Sequence, residues 1–299
     1  MSERPNVRVA FVGLGNMGAQ MSVRLLDAGY DVVGYDPSDT ARRSFVAAGG
    51  TEATTAAHAI RGSEFAILML PSSRVVELVL GDPDVVGELG PRTTVIDMSS
   101  SEPVSTVDLA RTVSKTGAVL IDAPVSGGVA GAKAGTLTIM AGGGDDVVAR
   151  VRNLLAPLGT LTHVGDTGAG HALKSVNNLM AAVGLLVTSE GVAIGRRFGI
   201  DPALMVSMIN SSSGQNAATD QKFPRFVLPE TYDSGFALAL MLKDMRIATG
   251  LAAALGVPAP LGDRAVEVWA SADRDLGPGA DQTEIARWTF DNASTRATS

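Results

Sequence analysis

Up to about residue 164, apolar positions fall in short unbroken runs separated by amphipathic stretches. Val7–Val12, Asp31–Tyr35, Phe65–Leu70, Thr94–Asp97, Ala118–Ile121, Thr136–Ala141 and Leu161–Val164 are rich in β-branched residues and predict strands. Most run continuously apolar rather than alternating, as strands do when both faces are covered. Between them, Met17–Ala28, Thr40–Ala48, Arg74–Leu80, Val104–Ser114 and Asp146–Leu155 show helical periodicity. This alternation predicts an α/β domain over residues 1–164, built on a doubly wound, mostly parallel sheet.

After Gly165 the strand pattern stops, and residues 165–299 predict an all-helical second domain. Its spine is one long segment, Gly170 to about Arg197, apolar on nearly every side and so expected to be buried against partners all round. Asp201-Pro202 places an N-cap acid before a proline at the first helical position. Met241–Leu255 and Gly262–Ser271 continue as helices.

Composition narrows the function. A chain of 299 residues can bury two cores, and a formal charge of −7 argues against a general nucleic-acid or anionic-membrane surface, though not against an anionic substrate. With no cysteine, thiol chemistry and cysteine-held metals are excluded. The opening MSERPNVRVAF lacks a signal-peptide layout, and Leu179–Ile194 is interrupted by Glu190 and glycines, so the expectation is a cytoplasmic protein without a membrane partner.

The first strand runs into Gly13-Leu14-Gly15-Asn16-Met17-Gly18 and then a helix. In that context G-x-G-x-x-G is a dinucleotide fingerprint of the Rossmann type. Gly13 permits the turn, Gly15 lets backbone approach a pyrophosphate, and Gly18 lets helix and strand pack closely. The second strand ends at Asp36, where a carboxylate accepts from ribose hydroxyls and repels a 2′-phosphate, predicting NAD as cofactor. Arg42 and Arg43 follow; they could hold a phosphate, but the pattern favours the exposed face of the next helix. Later strand ends carry Leu70-Pro71-Ser72-Ser73 and Ser99-Ser100. Leu70, Pro71 and Ser100 are candidate cofactor contacts, with helix capping as the alternative and the favoured reading for Ser72 and Ser73.

Asp122-Ala-Pro-Val-Ser126-Gly127-Gly128 offers exposed backbone N–H groups and a hydroxyl, a set suited to a carboxylate; a plain glycine turn is the alternative. Gly168-Ala-Gly170-His171-Ala-Leu-Lys174-Ser-Val-Asn177-Asn178 opens the spine helix. Lys174 and Asn178, four apart, share a face about 6 Å from each other. A lysine on a buried helix needs a partner or a task, and burial favours its neutral amine, so it could exchange a proton near neutral pH or make a junction salt bridge.

Taken in order, FVGLGNMGAQM, Asp36, DAPVSGG, GAGHALKSVNN and GFALALMLKD resemble the β-hydroxyacid dehydrogenase family over nearly the whole chain. The resemblance implies that Ser126, Gly127 and Gly128 hold a substrate carboxylate, that Lys174 is the acid–base group and that Asn178 orients it. It also places Lys243 near the nicotinamide end of the cofactor and Phe236 by the substrate pocket. The implied reaction is hydride transfer between NAD and a small anionic 3-hydroxy acid of the 3-hydroxyisobutyrate kind. His171 replaces the glutamine common in the family and is expected to bond at the domain junction. Ser211–Thr219, expected along the pocket, lacks a cysteine–tryptophan pair associated with 3-hydroxyisobutyrate enzymes. That leaves room for more polar substrates: tartronate semialdehyde, sulfolactaldehyde or L-serine. A non-catalytic dinucleotide sensor would need the glycine loop but not Lys174, Asn178 and the Ser126 loop together. The apolar spine predicts a homodimer or homotetramer.

Overall fold

The computed structural model describes residues 7–295. The first unit alternates β1 (Arg8–Val12), α1 (Asn16–Asp27), β2 (Asp31–Tyr35), α2 (Asp39–Ala47), β3 (Thr51–Glu52), α3 (Ala56–Ile60), β4 (Phe65–Leu68), α4 (Ser73–Gly81), α5 (Pro83–Glu88), β5 (Thr94–Asp97), α6 (Pro103–Ser114) and β6 (Val119–Asp122). It ends with β7 (Val125–Ser126), α7 (Gly128–Ala134), β8 (Leu137–Gly142), α8 (Asp145–Leu155) and β9 (Gly159–Gly165). The sheet order is β3-β2-β1-β4-β5-β6-β8-β7, with β9 on β8. From β3 to β6 every pair is parallel, and β8 runs antiparallel to β6 and β7.

Alternate strand residues feed two cores, one on each face of the sheet. Val9, Phe11, Ile67, Ile96 and Ile121 enter one, while Ala10, Val12, Leu68, Val95 and Leu120 enter the other. This explains the continuous apolar runs. Register aligns Tyr35, Val12, Leu68, Asp97 and Asp122 in one row across the sheet. The loops after those residues therefore leave from a single edge, where open parallel sheets bind ligands.

The elements absent from the sequence reading in this unit are the shortest. Strands of two residues (β3, β7) and helices of five to seven (α3, α5, α7) are too brief to show a period. Ser126 thus lies in a short strand, paired with Thr138, rather than in an open loop.

α9 (Ala169–Phe198) is continuous, but the compact units divide inside it, one ending at Lys174 and the next beginning at Ser175. The division falls beyond the 164/165 boundary expected from pattern because the helix start is bonded into the sheet unit. Asp122 Oδ1 accepts from the Gly168 N–H at 2.6 Å, and Oδ2 from the His171 N–H at 2.8 Å. Gly170 is needed there, since a Cβ would lie 2.2 Å from the Met140 carbonyl oxygen.

The second unit continues α9 with α10 (Pro202–Asn210), a π-helix (Ala218–Val227), α11 (Leu238–Ala254), α12 (Pro260–Leu276) and α13 (Glu284–Thr295). Asp201 caps α10, accepting from the Leu204 N–H at 2.8 Å. Trp269, Phe223, Met245 and Ile285 are fully buried at the core. Burial of α9 is less complete than its composition suggests. Leu173, Met180, Val187 and Ile194, seven residues apart, are 44%, 70%, 55% and 71% exposed, so an apolar stripe is uncovered within one chain.

Candidate active site

The glycine loop leaves the sheet edge directly after Val12. At Gly13, φ is +101°, and a Cβ would lie 2.2 Å from the Met69 carbonyl oxygen. A Cβ on Gly18 would lie 1.9 Å from the Gly13 carbonyl oxygen. At Gly15 a Cβ meets nothing within 4 Å, so this glycine answers no packing demand inside the chain and faces open space. Asn16 and Met17 begin α1 at the same place, bringing free helix N–H groups to that space. The Leu14 N–H donates to Asp36 Oδ2 and the Ser38 N–H to Oδ1, both at 2.8 Å. Asp36 is thereby fixed beside the loop with lone pairs remaining for hydroxyl donors. These features fit a dinucleotide: a cradle bare of side chains, a helix start and an acid at the ribose distance along the chain.

Arg42 departs from expectation. Its side chain is only 17% exposed and folds back on acceptors, whereas Arg43 is 80% exposed. Leu70 packs against Gly13, and its N–H donates to Ser99 Oγ at 2.9 Å. Ser99, rather than Ser100, thus joins the two strand-end loops; Pro71 is exposed and Ser100 half-buried on the same edge. Ser72 holds the N-cap position of α4 without a side-chain bond, and Ser73 Oγ instead accepts from the Glu102 N–H at 2.6 Å.

The adjoining strand ends form a buried polar cluster. Asp97 accepts from the Ser99 N–H and the Ser101 hydroxyl at 2.9 and 2.8 Å. His171, 1% exposed, places Nδ1 2.8 Å from Thr106 Oγ1 and Nε2 3.1 Å from the Ser99 carbonyl, with the Asp97 and Asp122 carboxylates at 3.8 and 3.9 Å. Burial pushes the Asp122 carboxyl above the ordinary carboxylate range, against the pull of His171 and the two N–H bonds from the helix start. Asp122 therefore braces the helix that carries Lys174. Lys174 lies one turn on and is itself 8% exposed. Gly170 abuts Pro124, bringing the start of α9 against the segment leading to Ser126. Gly127 and Gly128 have φ of +129° and +61°, a region that side-chain-bearing residues avoid.

In the second unit, Asn178 is 5% exposed and its Nδ2 donates to Asp244 Oδ2 at 2.6 Å. Lys243 Nζ lies 3.5 Å from the other oxygen of Asp244. Asp244, 2% exposed, was not singled out from sequence, although an acid at a buried position of α11 was the available signal. Phe236 is half-buried, with its N–H on Asp281 Oδ2 at 3.2 Å. Asn216, in the segment expected to line a pocket, accepts from the Ala218 N–H at 2.8 Å just before the π-helix, and its Nδ2 donates to Thr188 Oγ1 at 3.2 Å.

Residues 8–165 match the NAD-binding domain of 6-phosphogluconate dehydrogenase, and 168–289 match the NAD-binding domain of NADP-dependent 3-hydroxyisobutyrate dehydrogenase. The 2-(hydroxymethyl)glutarate dehydrogenase of Eubacterium barkeri is 34% identical over 92% of this chain and 91% of its own. The NAD-dependent L-serine dehydrogenase of Pseudomonas aeruginosa is 36% identical over 88% of this chain and 91% of its own. Among solved structures, the Mycobacterium tuberculosis 3-hydroxyisobutyrate dehydrogenase with L-serine superposes with a TM-score of 0.88 at 33% identity, covering 93% of this chain and 97% of that one. With two matched models spanning both units, a glycine loop shaped for NAD and relatives aligned almost end to end, the chain belongs to the β-hydroxyacid dehydrogenase family of NAD-dependent oxidoreductases.

Proposed function

We propose that the enzyme interconverts a small 3-hydroxy acid and its aldehyde acid, with Lys174 as the acid–base group. The observation that carries this reading is the setting of Lys174: nearly buried, on a helix whose start is fixed by two N–H bonds to Asp122 at a ligand-binding sheet edge. When bound, NAD would supply the hydride-transfer chemistry. Gly13–Gly18 and Asp36 hold the pyrophosphate and ribose, and Leu70, Pro71, Ser100 and Lys243 complete the contacts. Ser126 and the N–H groups of Gly127 and Gly128 bind the carboxylate, while Phe236 bounds the substrate pocket. The Lys174 amine takes the hydroxyl proton; in reverse, its ammonium returns it and stabilises the alkoxide, worth on the order of 3–4 kcal/mol for one well-placed donor. Asn178, itself held by Asp244, orients the lysine.

Relatives named 3-hydroxyisobutyrate dehydrogenases support an apolar side chain on the substrate, while those named a serine and a hydroxymethylglutarate dehydrogenase support a polar one. The test is NADH formation from NAD with 3-hydroxyisobutyrate, L-serine, glycerate and 2-(hydroxymethyl)glutarate. Turnover is expected with at least one; a protein that binds NADH yet turns over none is better read as a sensor.

The stripe through Leu173, Met180, Val187 and Ile194 supports self-association, since a second copy would bury large apolar side chains now facing water. By length and composition this helix could also cross a membrane, but half of the relevant window is already buried within the chain, which fits a core helix better. Light scattering after size exclusion should show a dimer or tetramer, and Met180→Glu with Ile194→Glu should yield monomers. A wild-type monomer at micromolar concentration refutes the assignment.

A further inference from the structure

We propose that Glu52 is a second determinant of cofactor choice, acting through Arg42. This rests on reading Gly13–Gly18 and Asp36 as the dinucleotide site. Arg42 is the cation nearest the ribose-binding acid, because its Nη1 donates to the Asp36 carbonyl oxygen at 2.6 Å. A guanidinium there would ordinarily suit a 2′-phosphate, which brings a charge of about −1.5 to −2 and strong acceptor oxygens. Here the fork is committed elsewhere. Nε donates to Glu52 Oε1 at 2.8 Å, and Nη2 pairs with the Asp39 carboxylate. Arg43, at 3.9 Å, shares Asp39.

Glu52 reaches this position because β3 pairs in parallel with β2, setting Glu52 beside Gly34, two residues before Asp36. The short edge strand thus presents one carboxylate to the adenosine end of the site. Asp36, Asp39 and Glu52 outnumber Arg42 and Arg43 by one charge, so the local field opposes an added phosphate. Glu52 is a positioning residue: it supplies part of that field and turns the Nε edge of Arg42 away from an incoming 2′-phosphate. Asp36 alone would then not account for discrimination, and its removal would leave the guanidinium still held.

The test is titration of the full-length protein with NADH and with NADPH, followed by nicotinamide fluorescence, for wild type, Asp36→Ser, Asp36→Ser/Glu52→Gln and the same pair with Arg42→Met. The Glu52 side chain is 39% exposed, so glutamine fits without repacking. Glutamine keeps an amide oxygen that can accept from Arg42 Nε but removes the carboxylate charge, which should raise the NADPH-to-NADH affinity ratio about tenfold from Asp36→Ser to the double variant. Most of that gain should vanish when Arg42 is methionine. A ratio unchanged to within about twofold, or a gain that survives Arg42→Met, overturns the proposal while leaving the dinucleotide site intact. A wild-type protein that binds neither nucleotide removes the site and the proposal together.

Discussion

Lys174→Ala is expected to lower kcat by about 10²- to 10⁴-fold while NADH binding changes little. The magnitude is that of one positioned acid–base group. Its selectivity follows from location: the cofactor loop lies after β1, and the brace on α9 uses the N–H groups of Gly168 and His171, neither of which needs the lysine side chain. Lys174→Met keeps most of the apolar stem and separates lost packing from lost chemistry. Stopped-flow and steady-state rates on both variants check it, and turnover within a few-fold of wild type would take Lys174 out of the reaction.

Gly15→Ala and Gly18→Ala should separate binding from folding. An alanine at 18 must displace the Gly13 carbonyl from 1.9 Å, an overpacking that costs about 1–3 kcal/mol or more and distorts the loop itself. Both the melting temperature and NADH affinity should fall. An alanine at 15 meets nothing within 4 Å and keeps an extended N-cap with φ −67°. Its folding cost is within about 1 kcal/mol. It intrudes where a pyrophosphate must approach, so losing one charge-assisted bond of about 1.5–3 kcal/mol weakens NADH roughly ten- to hundredfold. Calorimetry and NADH titration distinguish the two. Equal loss of stability in both variants would mean that Gly15, too, is a packing glycine.

The parts of the fold legible in sequence are those whose period runs long enough to count. β2 and β5 begin and end where their apolar runs do, and Asp201-Pro202 caps a helix as its chemistry requires. β3 and β7 carry no such signal, because two residues have no alternation and their pairing is set by neighbouring strands. α13 and the π-helix escaped for another reason: Pro224 inside one and Arg287, Asn292 and Asp291 on the other break the apolar pattern, and tertiary packing decides. At the site, the turn and packing of Gly13 and Gly18 were legible because close backbone approach restricts residue type, and the place of Asp36 because it follows the end of the second strand. The functions of Asp244, Ser99 and Thr106 depend on partners distant in sequence, such as Asn178, Leu70 and His171. No local window contains those pairs. Arg42 shows the same blindness in reverse: helical pattern put it in solvent, and Glu52, ten residues on, turned it inward.

The two bonds from Asp122 to the start of α9 close loops of 46 and 49 residues. A helix of 30 residues can wind early from its own local contacts, but its first turn cannot be anchored until β6 has joined a parallel sheet, which assembles slowly because its pairings are remote in sequence. Competence for turnover is therefore among the last properties the refolding chain acquires, well after its helical content has returned.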